Sequence, residues 1–550
     1  MKEIILNSRE ICDFELIVDG SFNPLDGFMN EKDYNNVVNS MYLDSGQFFP
    51  IPVVLSITKE KAYELDNEKT VILKNETGII VGEMIIESIY KPNFENECLK
   101  VFKASIDEIN HPYIKILYKF QKEDRFYIGG KIKKINKVPH YDFQELRLSP
   151  YETKKWFKEN DWEQYPILGF TCRNPLHRSH YHLIKNALEQ IPKSKLFLNP
   201  VVGITQESDI DYITRVKCYK HILKYYDNNT IKLNLLNLSQ RMAGPRDALF
   251  MSLIRKNYGC THFIIGRDFS GPSCKRFNGT NFYEPYEAQE MLSKYAEIIG
   301  IIPIYSKEIV YTISKSETEN ENNGSFLEID KIDTNEMKIM NISGTKFRDM
   351  LKNNIEIPSW FSFTEITNEL KESNKRNGLC VYLCGLSSSG KSTLANYLIT
   401  KIKEVSSKPI TLLDGDIVRT HISKGLGFSK EDRSTNVRRI GYVASEIVKH
   451  QGIVIVANIA PFKEDRDFNR NLISQFGNYV EIFVDTPIKV CEERDTKGLY
   501  LKAYKGIIKE FTGISSPFET PENPEMVLDG NKTIEDNLNL IISYLQPFLI

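Results

Sequence analysis

Apolar and polar positions follow two different schedules along this chain. Through residues 1–150, short apolar runs such as FFPIPVVLSI (48–57), TVILKN (70–75) and TGIIVGEMII (77–86) recur between turn residues. That spacing predicts a small β-rich domain with few long helices. At SPYETKKWFKEN the pattern changes: Ser149, Pro150 and Glu152 form a capping-box start with proline at the first helical position. From about residue 165, apolar runs of strand length alternate with segments of helical period. The runs are YPILGF (165–170), KLFLNPVV (195–202), IKLNLLNL (231–238) and THFIIGR (261–267). Between them lie SHYHLIKNALEQ, YITRVKCYKHILKYY and RDALFMSLIRKNYG. The alternation predicts a parallel sheet covered by helices on both faces, with ligands at the carboxyl ends of its strands. SKSETENENNGS (314–325) reads as a polar loop and KESNKRNG (371–378) as a linker. A second α/β unit then runs from the strand LCVYLCGL to a terminal helix around DNLNLIISYLQPF. The expected class is α/β and multidomain, divided as 1–160, 161–370 and 371–550.

Composition removes several function classes. The 550 residues are 41% hydrophobic and 26% charged, and 71 basic against 73 acidic residues leave a net charge of −2. Nucleic-acid binding normally needs a basic excess, so no nucleic-acid partner is expected. The nine cysteines are scattered without disulfide-framework spacing, which fits reduced thiols in a cytoplasmic protein. No window approaches eighteen consecutive apolar residues, and the opening MKEIILNSREICDF lacks a long apolar core, so neither a membrane partner nor a secretory leader is expected.

The strongest chemical signal is GLSSSGKST (385–393). Gly385, Gly390, Lys391 and Ser392 satisfy G-x-x-x-x-G-K-[ST] between an apolar strand and a helical pattern. Ser387, Ser388, Ser389 and Thr393 complete the loop. Its backbone N–H groups and the following helix end suit a polyphosphate, with Lys391 on the β/γ oxygens and Ser392 on Mg²⁺. In LLDGDIVR (412–419), Asp414 and Asp416 are placed to serve Mg²⁺ or take a proton from an attacking hydroxyl. Arg419, Arg433 and Arg438 with Asn436 form a cationic set for an anionic acceptor.

A second constellation is TCRNPLHRSH (171–180), with His177 and His180 at the start of a helix. Three readings stand: a metal pair, for which no nearby cysteine or carboxylate completes a zinc set, so no zinc site is expected; structural histidines; or a nucleotidyl-transfer pocket gripping a triphosphate. RMAGPRDA (241–248) and GRDFSGP (266–272) each set arginine beside glycine at a strand end, and ISGTKFR (342–348) adds Ser343, Thr345 and Arg348 at a helix start.

The motifs GLSSSGKST, LDGD, GLGFSKEDR, NVRRIG, RDTKGLY and FTGISSPFE resemble, in order, those of adenylylsulfate kinases over 378–550. The resemblance implies that Arg419, Arg433 and Asn436 hold the acceptor nucleotide. It also implies that Phe428 and Phe511 sandwich its adenine, and that Lys497 sits near the reacting groups. Ala460 in NIAPFK (458–463) stands where some members have a phosphorylatable serine, and Lys463 where they have arginine.

RNPLHRSH, NPVVG, AGPRDA, RKNYGCTHFIIGRD and ISGTKFRDML are similar to ATP sulfurylase over roughly 1–365, with VDGSFNPLDGFM (18–29) resembling that family's PUA-like amino-terminal domain. This implies a catalytic loop at Arg173 and Asn174 with Arg173 on the oxyanion. His177 and His180 would contact ATP phosphates, and Thr171, Cys172, Gly266, Arg267, Asp268 and Ser270 would line the same site. The chain departs from the family's QTRNP, GRDHAG and MRYAGPR at Thr171, Cys172, Phe269, Ser270, Gln240 and Met242. A homo-oligomer using Mg²⁺, ATP, sulfate and adenylylsulfate is the implied enzyme. Three functions stay open at this point: two-step sulfate activation, the same chemistry on another oxyanion, or a chain in which one half is catalytically silent.

Overall fold

The computed structural model describes residues 2–140, 142–206, 209–315, 323–353, 355–374, 378–406, 408–495 and 498–549. Two compact units divide the chain, Met1–Lys371 and Glu372–Ile550.

The first unit opens with a six-stranded sheet, ordered Glu3–Ile5, Thr70–Lys74, Ile80–Tyr90, Phe126–Lys134, Gly27–Phe28, with Leu55–Ile57 also pairing Phe126–Lys134. The sheet is the expected β-rich element, but helices Ser8–Val18, Glu31–Ser40, Phe94–Val101 and Pro112–Lys122 surround it. Their signals are polar caps: the side chains of Asn7, Asn30, Asn93 and His111 accept from N–H groups of the first turn. Of the run FFPIPVVLSI only Leu55–Ile57 becomes a strand. Pro50 and Pro52 supply no N–H to a ladder, so the run is buried core without being sheet.

A capping box at Ser149 and Glu152 begins helix Pro150–Glu159 as its sequence predicts. Next comes a five-stranded sheet in the order Ile302–Tyr305, His262–Ile265, Ile167–Phe170, Lys195–Leu198, Ile231–Leu233, parallel throughout. The chain therefore builds outward from Ile167–Phe170 on one side, then returns to build on the other. Successive connections leave in opposite directions, so a crevice opens at the carboxyl ends of Ile167–Phe170 and His262–Ile265. A small antiparallel sheet, Ser325–Glu328, Ile309–Ser314 and Met337–Met340, supplies a further wall.

Helix Pro245–Asn257 is buried from Pro245 through Arg255 because the amino-terminal sheet domain packs on it. Phe250 meets Phe22 at 4.8 Å and Phe49 at 5.5 Å between ring centres. This packing also claims the two arginines of RMAGPRDA. Arg241 makes a two-point contact with Asp13, Nη1 to Oδ1 2.8 Å and Nη2 to Oδ2 2.5 Å, with both side chains buried. Arg246 donates to the carbonyls of Val37, Val38 and Pro50. Both cations are consumed by packing.

The second unit is a five-stranded parallel sheet ordered Ile410–Asp414, Ile453–Ala457, Leu379–Cys384, Asn478–Asp485, Met526–Asp529. The central strand sorts its side chains by the two-residue period of a strand. Leu379, Val381 and Leu383 pack with helices Lys391–Val405 and Ile534–Leu549, while Cys380, Tyr382 and Cys384 pack with Lys430–Lys449.

Replacing Asp13 with alanine strands the Arg241 guanidinium in the core. The variant is expected to lose about 3–5 kcal/mol of stability, read by denaturant unfolding of the first unit's transition in the full chain.

Candidate active sites

The crevice of the first unit is a cavity of about 800 Å³. Its lining includes Thr171, Cys172, Arg173, Asn174, His177 and His180; Gly266, Arg267, Asp268 and Ser270; Gly344 and Arg348; and Gln240. Ser343 is not among the lining residues; its hydroxyl caps helix Gly344–Lys352 by accepting from Lys346 N–H. The Thr345 side chain lies outside the described residues.

His177 and His180 stand at the start of helix Arg178–Gln190. Phe361 and Phe347 flank the His177 ring at 4.7 and 5.0 Å, and its Nδ1 shares a 2.9 Å hydrogen bond with Ser362 Oγ. His180 Nδ1 accepts from His177 N–H at 3.3 Å, which leaves the proton of a neutral ring on Nε2. Burial pushes His177 down to about 3 and His180 down to about 4. Neutral rings beside a helix N-terminus are hydrogen-bond donors to phosphate oxygens rather than fixed charges. Among the described residues no three His, Cys, Asp or Glu side chains converge on a possible metal position.

The loop carrying Arg173 and Asn174 is held from behind by helix Tyr212–Ile222. Arg215 Nη1 donates to the carbonyls of Arg173 (2.7 Å) and Val201 (2.9 Å), and Tyr219 Oη donates to Asn174 O (3.0 Å). Both side chains are buried. Sequence reading missed this pair, although an arginine and a tyrosine at i and i+4, in phase with Ile222, are visible once a buried face is assumed. Arg173 itself sits 3.7 Å from Asp209 and donates to Ser273 Oγ at 3.2 Å.

The opposite rim is GRDFSG. Asp268 (φ 52°) and Ser270 (φ 53°) both adopt left-handed backbone, a strain that such sites retain when surrounding structure enforces it. Arg267 is paired with Glu308 (2.5 Å) and Asp268 (3.1 Å). Phe269 turns its ring onto Phe263 of the neighbouring strand at 5.6 Å. An apolar ring at this position thus joins the core contact.

In the second unit the loop 385–390 runs from strand Leu379–Cys384 into helix Lys391–Val405. Gly385 has φ 148°, and a Cβ there would lie 2.7 Å from Val484 O; Gly390 has φ 102°. Tyr500 Oη and Thr486 Oγ1 fix the loop by donating to Ser387 O and Ser389 O, both at 3.0 Å. Lys391 is buried, its ammonium pushed down to about 8 by burial, and it donates to Leu386 O at 2.6 Å. Ser392 Oγ donates to Asp414 Oδ2 at 2.6 Å. A hydroxyl and a carboxylate are hard oxygen donors of the kind Mg²⁺ accepts, so these two residues fit that ion. Asp414 also caps the next helix through Asp416 N–H, and Asp416 is exposed.

Arg419, Arg433 and Asn436 lie on the helices beyond Asp414. Arg419 stacks over Phe428 at 4.6 Å and donates to Gly427 O. Arg433 is buried, donating to Thr512 Oγ1 (2.8 Å) and Ser516 Oγ (2.9 Å), and the buried Asn436 Oδ1 has no partner. Arg438 does not belong to this set: Glu464 and Asp465 hold it at 2.7 and 2.8 Å, so its charge is neutralised. Phe511 packs edge-on against Tyr500 at 5.0 Å. Lys497 lies outside the described residues. A cavity of about 640 Å³ opens against Leu386, Asp485, Thr486 and Phe518, and none of the acceptor residues lines it.

Two parallel sheets, one ending in a lysine-bearing phosphate loop and one in a cleft of arginine and neutral imidazoles, define an ATP-using transferase. Residues 1–137 match the PUA-like domain family, 144–373 the ATP-sulfurylase family and 377–529 the adenylylsulphate kinase family. Sulfate adenylyltransferase of Neurospora crassa is 37% identical over 96% of this chain and 90% of its own length, and that of Yarrowia lipolytica 38% identical over 97% and 91%. A solved structure described as a hexameric APS kinase from Thiobacillus denitrificans superposes with a TM-score of 0.77 at 27% identity, covering 99% of this chain and 93% of that one. The chain belongs to the sulfate adenylyltransferase family, in the arrangement that fuses an ATP-sulfurylase domain to a following adenylylsulfate kinase domain. These domains support a bifunctional transferase that activates sulfate in two steps, and nothing favours another oxyanion or a silent half. No helix among the described residues is long and apolar enough to cross a membrane.

Two outcomes follow for the first site. Because the folded-state values of His177 and His180 fall below the ordinary 6.5, the unfolded chain binds more protons below that pH and stability declines as pH drops from 6.5 toward 4. Each imidazole contributes up to about 1.4 kcal/mol per pH unit. His180→Asn is expected to flatten that decline, seen as melting temperature against pH. Tyr219→Phe removes the hydroxyl that holds Asn174 and is expected to lower sulfurylase kcat about tenfold while leaving adenylylsulfate kinase kcat unchanged, measured on the same preparation.

Proposed function

We propose that residues 161–370, with 1–160 as packing support, carry the sulfurylase site, and that 371–550 carry the kinase site. At the first, a sulfate oxygen attacks the α-phosphorus of ATP; the bond to the pyrophosphate oxygen breaks, and adenylylsulfate and pyrophosphate leave. Arg173 binds the sulfate end, with the hydroxyl of Thr171 as a further donor and Ser270 at the same end. His177 and His180 donate to the triphosphate from a helix N-terminus. Arg267, Asp268 and Arg348 border the nucleotide, and Asn174 positions the loop. Such a reaction needs orientation and charge stabilisation rather than a covalent intermediate.

At the second site the 3′-hydroxyl of adenylylsulfate attacks the γ-phosphorus of another ATP. Asp416 receives the hydroxyl proton, Lys391 and the backbone of 385–390 hold the β/γ phosphates, and Ser392 with Asp414 would hold Mg²⁺, which supplies charge neutralisation when bound. Arg419, Arg433 and Asn436 hold the acceptor, and Phe428 and Phe511 close on its adenine. The intact phosphate loop, with Lys391 buried at its centre, is the observation that carries this reading against a regulatory tail. Adenylylsulfate is a high-energy mixed anhydride, so its removal by the kinase draws the first reaction forward. A cytoplasmic homo-oligomer is the setting that fits the hexameric neighbour and the unpaired thiols.

The test is pyrophosphate release from ATP and Mg²⁺ by the full chain, with sulfate present, absent or replaced by other oxyanions. Release that requires sulfate, with 3′-phosphoadenylylsulfate accumulating, is expected; a response only to another oxyanion overturns the reading. Lys391→Ala is expected to lower kinase turnover at least about a hundredfold and spare pyrophosphate release, and Arg173→Ala to do the reverse.

A further inference from the structure

The cavity of the first unit contains two polar side chains that the fold buries without satisfying. Thr171 is 9% exposed and Gln240 7% exposed, and neither Thr171 Oγ1 nor Gln240 Oε1 has a hydrogen-bond partner. Both line the same cavity wall set as Arg173 and Ser270. Buried polar atoms are almost always paired, and two unpaired ones lining one cleft with an arginine indicate a ligand that completes them.

Gln240 is held firmly by its backbone, its N–H donating to Ile204 O at 2.9 Å and its carbonyl accepting from Arg9 at 3.4 Å. Its side chain is held at one edge only, Nε2 donating to Ser270 Oγ at 3.3 Å. A carboxamide has two orientations related by a half-turn, and a serine hydroxyl serves either, because it both accepts and donates. In the second orientation Ser270 Oγ–H donates to Oε1, and the amide N–H group occupies the position where Oε1 has no partner. That position then offers protons rather than lone pairs. A tetrahedral oxyanion without protons accepts hydrogen bonds and donates none, so it selects this orientation.

We propose that Gln240 is a specificity-determining residue of the sulfurylase site, its carboxamide turned by Ser270 to donate to the oxyanion beside Arg173 and Thr171. The role rests on the sulfurylase reading given above. It makes the Gln240–Ser270 pair the neutral half of the subsite and Arg173 the charged half. The set has donors for a fully ionised anion and, in this orientation, no carboxamide oxygen facing it to receive a proton from a protonated one.

Steady-state kinetics of pyrophosphate release by the full chain test this, varying sulfate and ATP separately. Gln240→Met keeps nearly the same volume and removes the donor; KM for sulfate is expected to rise about tenfold, with KM for ATP within twofold of wild type. Ser270→Ala is expected to give the same one-sided shift by freeing the amide, and Gln240→Glu, which presents only acceptors and a charge, to abolish sulfate use. Melting temperatures near wild type identify folded variants. An unchanged sulfate KM in folded Gln240→Met, or sulfate and ATP KM rising together, overturns the role of Gln240 while leaving the sulfurylase reading intact. Wild-type protein that releases no pyrophosphate in response to sulfate overturns both.

Discussion

Where neighbouring parallel strands in the middle of a sheet send their connections in opposite directions, their carboxyl ends cannot be covered. Both units are organised by that constraint. Ile167–Phe170 lies between His262–Ile265 and Lys195–Leu198, and Leu379–Cys384 lies between Ile453–Ala457 and Asn478–Asp485. Each leaves a crevice lined by strand ends and helix starts, where backbone N–H groups without a ladder partner face outward. An anion is the ligand that such a crevice suits, and the side chains at its rim decide which anion. In the second unit the rim is a tight glycine-bearing loop with a buried lysine, and in the first it is an arginine loop with neutral histidines.

The two rims meet the same electrostatic problem differently. Lys391 is a buried cation that burial pushes down to about 8, and the nearby carboxylates Asp414 and Asp416 favour its charged form. His177 and His180 are driven neutral by the same burial, so positive charge in the first cleft comes from other groups, Arg173 and Arg348 among them, and from the helix end. Arg173 is in turn set in place by Arg215 and Tyr219, which donate to the carbonyls of Arg173 and Asn174. The desolvation of those buried groups is offset by carbonyls that the loop would otherwise leave unpaired.

Much of the catalytic apparatus was legible because it is local. The phosphate loop, the capping box at Ser149 and the strand–helix alternation after residue 165 are each specified within about twenty residues, by glycine conformation, cap chemistry and period. What escaped was non-local. Arg241 and Arg246 look like anion ligands in their own segment, but Asp13 and the carbonyls of Val37, Val38 and Pro50, some two hundred residues earlier, claim them. Arg438 fits a cationic cluster along its helix until Glu464 and Asp465 are placed beside it. The amino-terminal helices escaped because their strongest signals are single capping residues, easily overlooked among short apolar runs.

The sequence by itself determined the fold class, the order of the domains and the chemistry of the phosphate loop, since these follow from periodicity and from contiguous motifs whose geometry is set by their own backbone. Only the tertiary structure decided which cations remain available to a substrate, that Phe269 packs against Phe263 at the edge of the core, and that Thr171, Gln240 and Ser270 share one cavity with Arg173. Charge neutralisation and burial depend on partners brought from distant segments, and no local pattern encodes whether a polar atom, once buried, finds one.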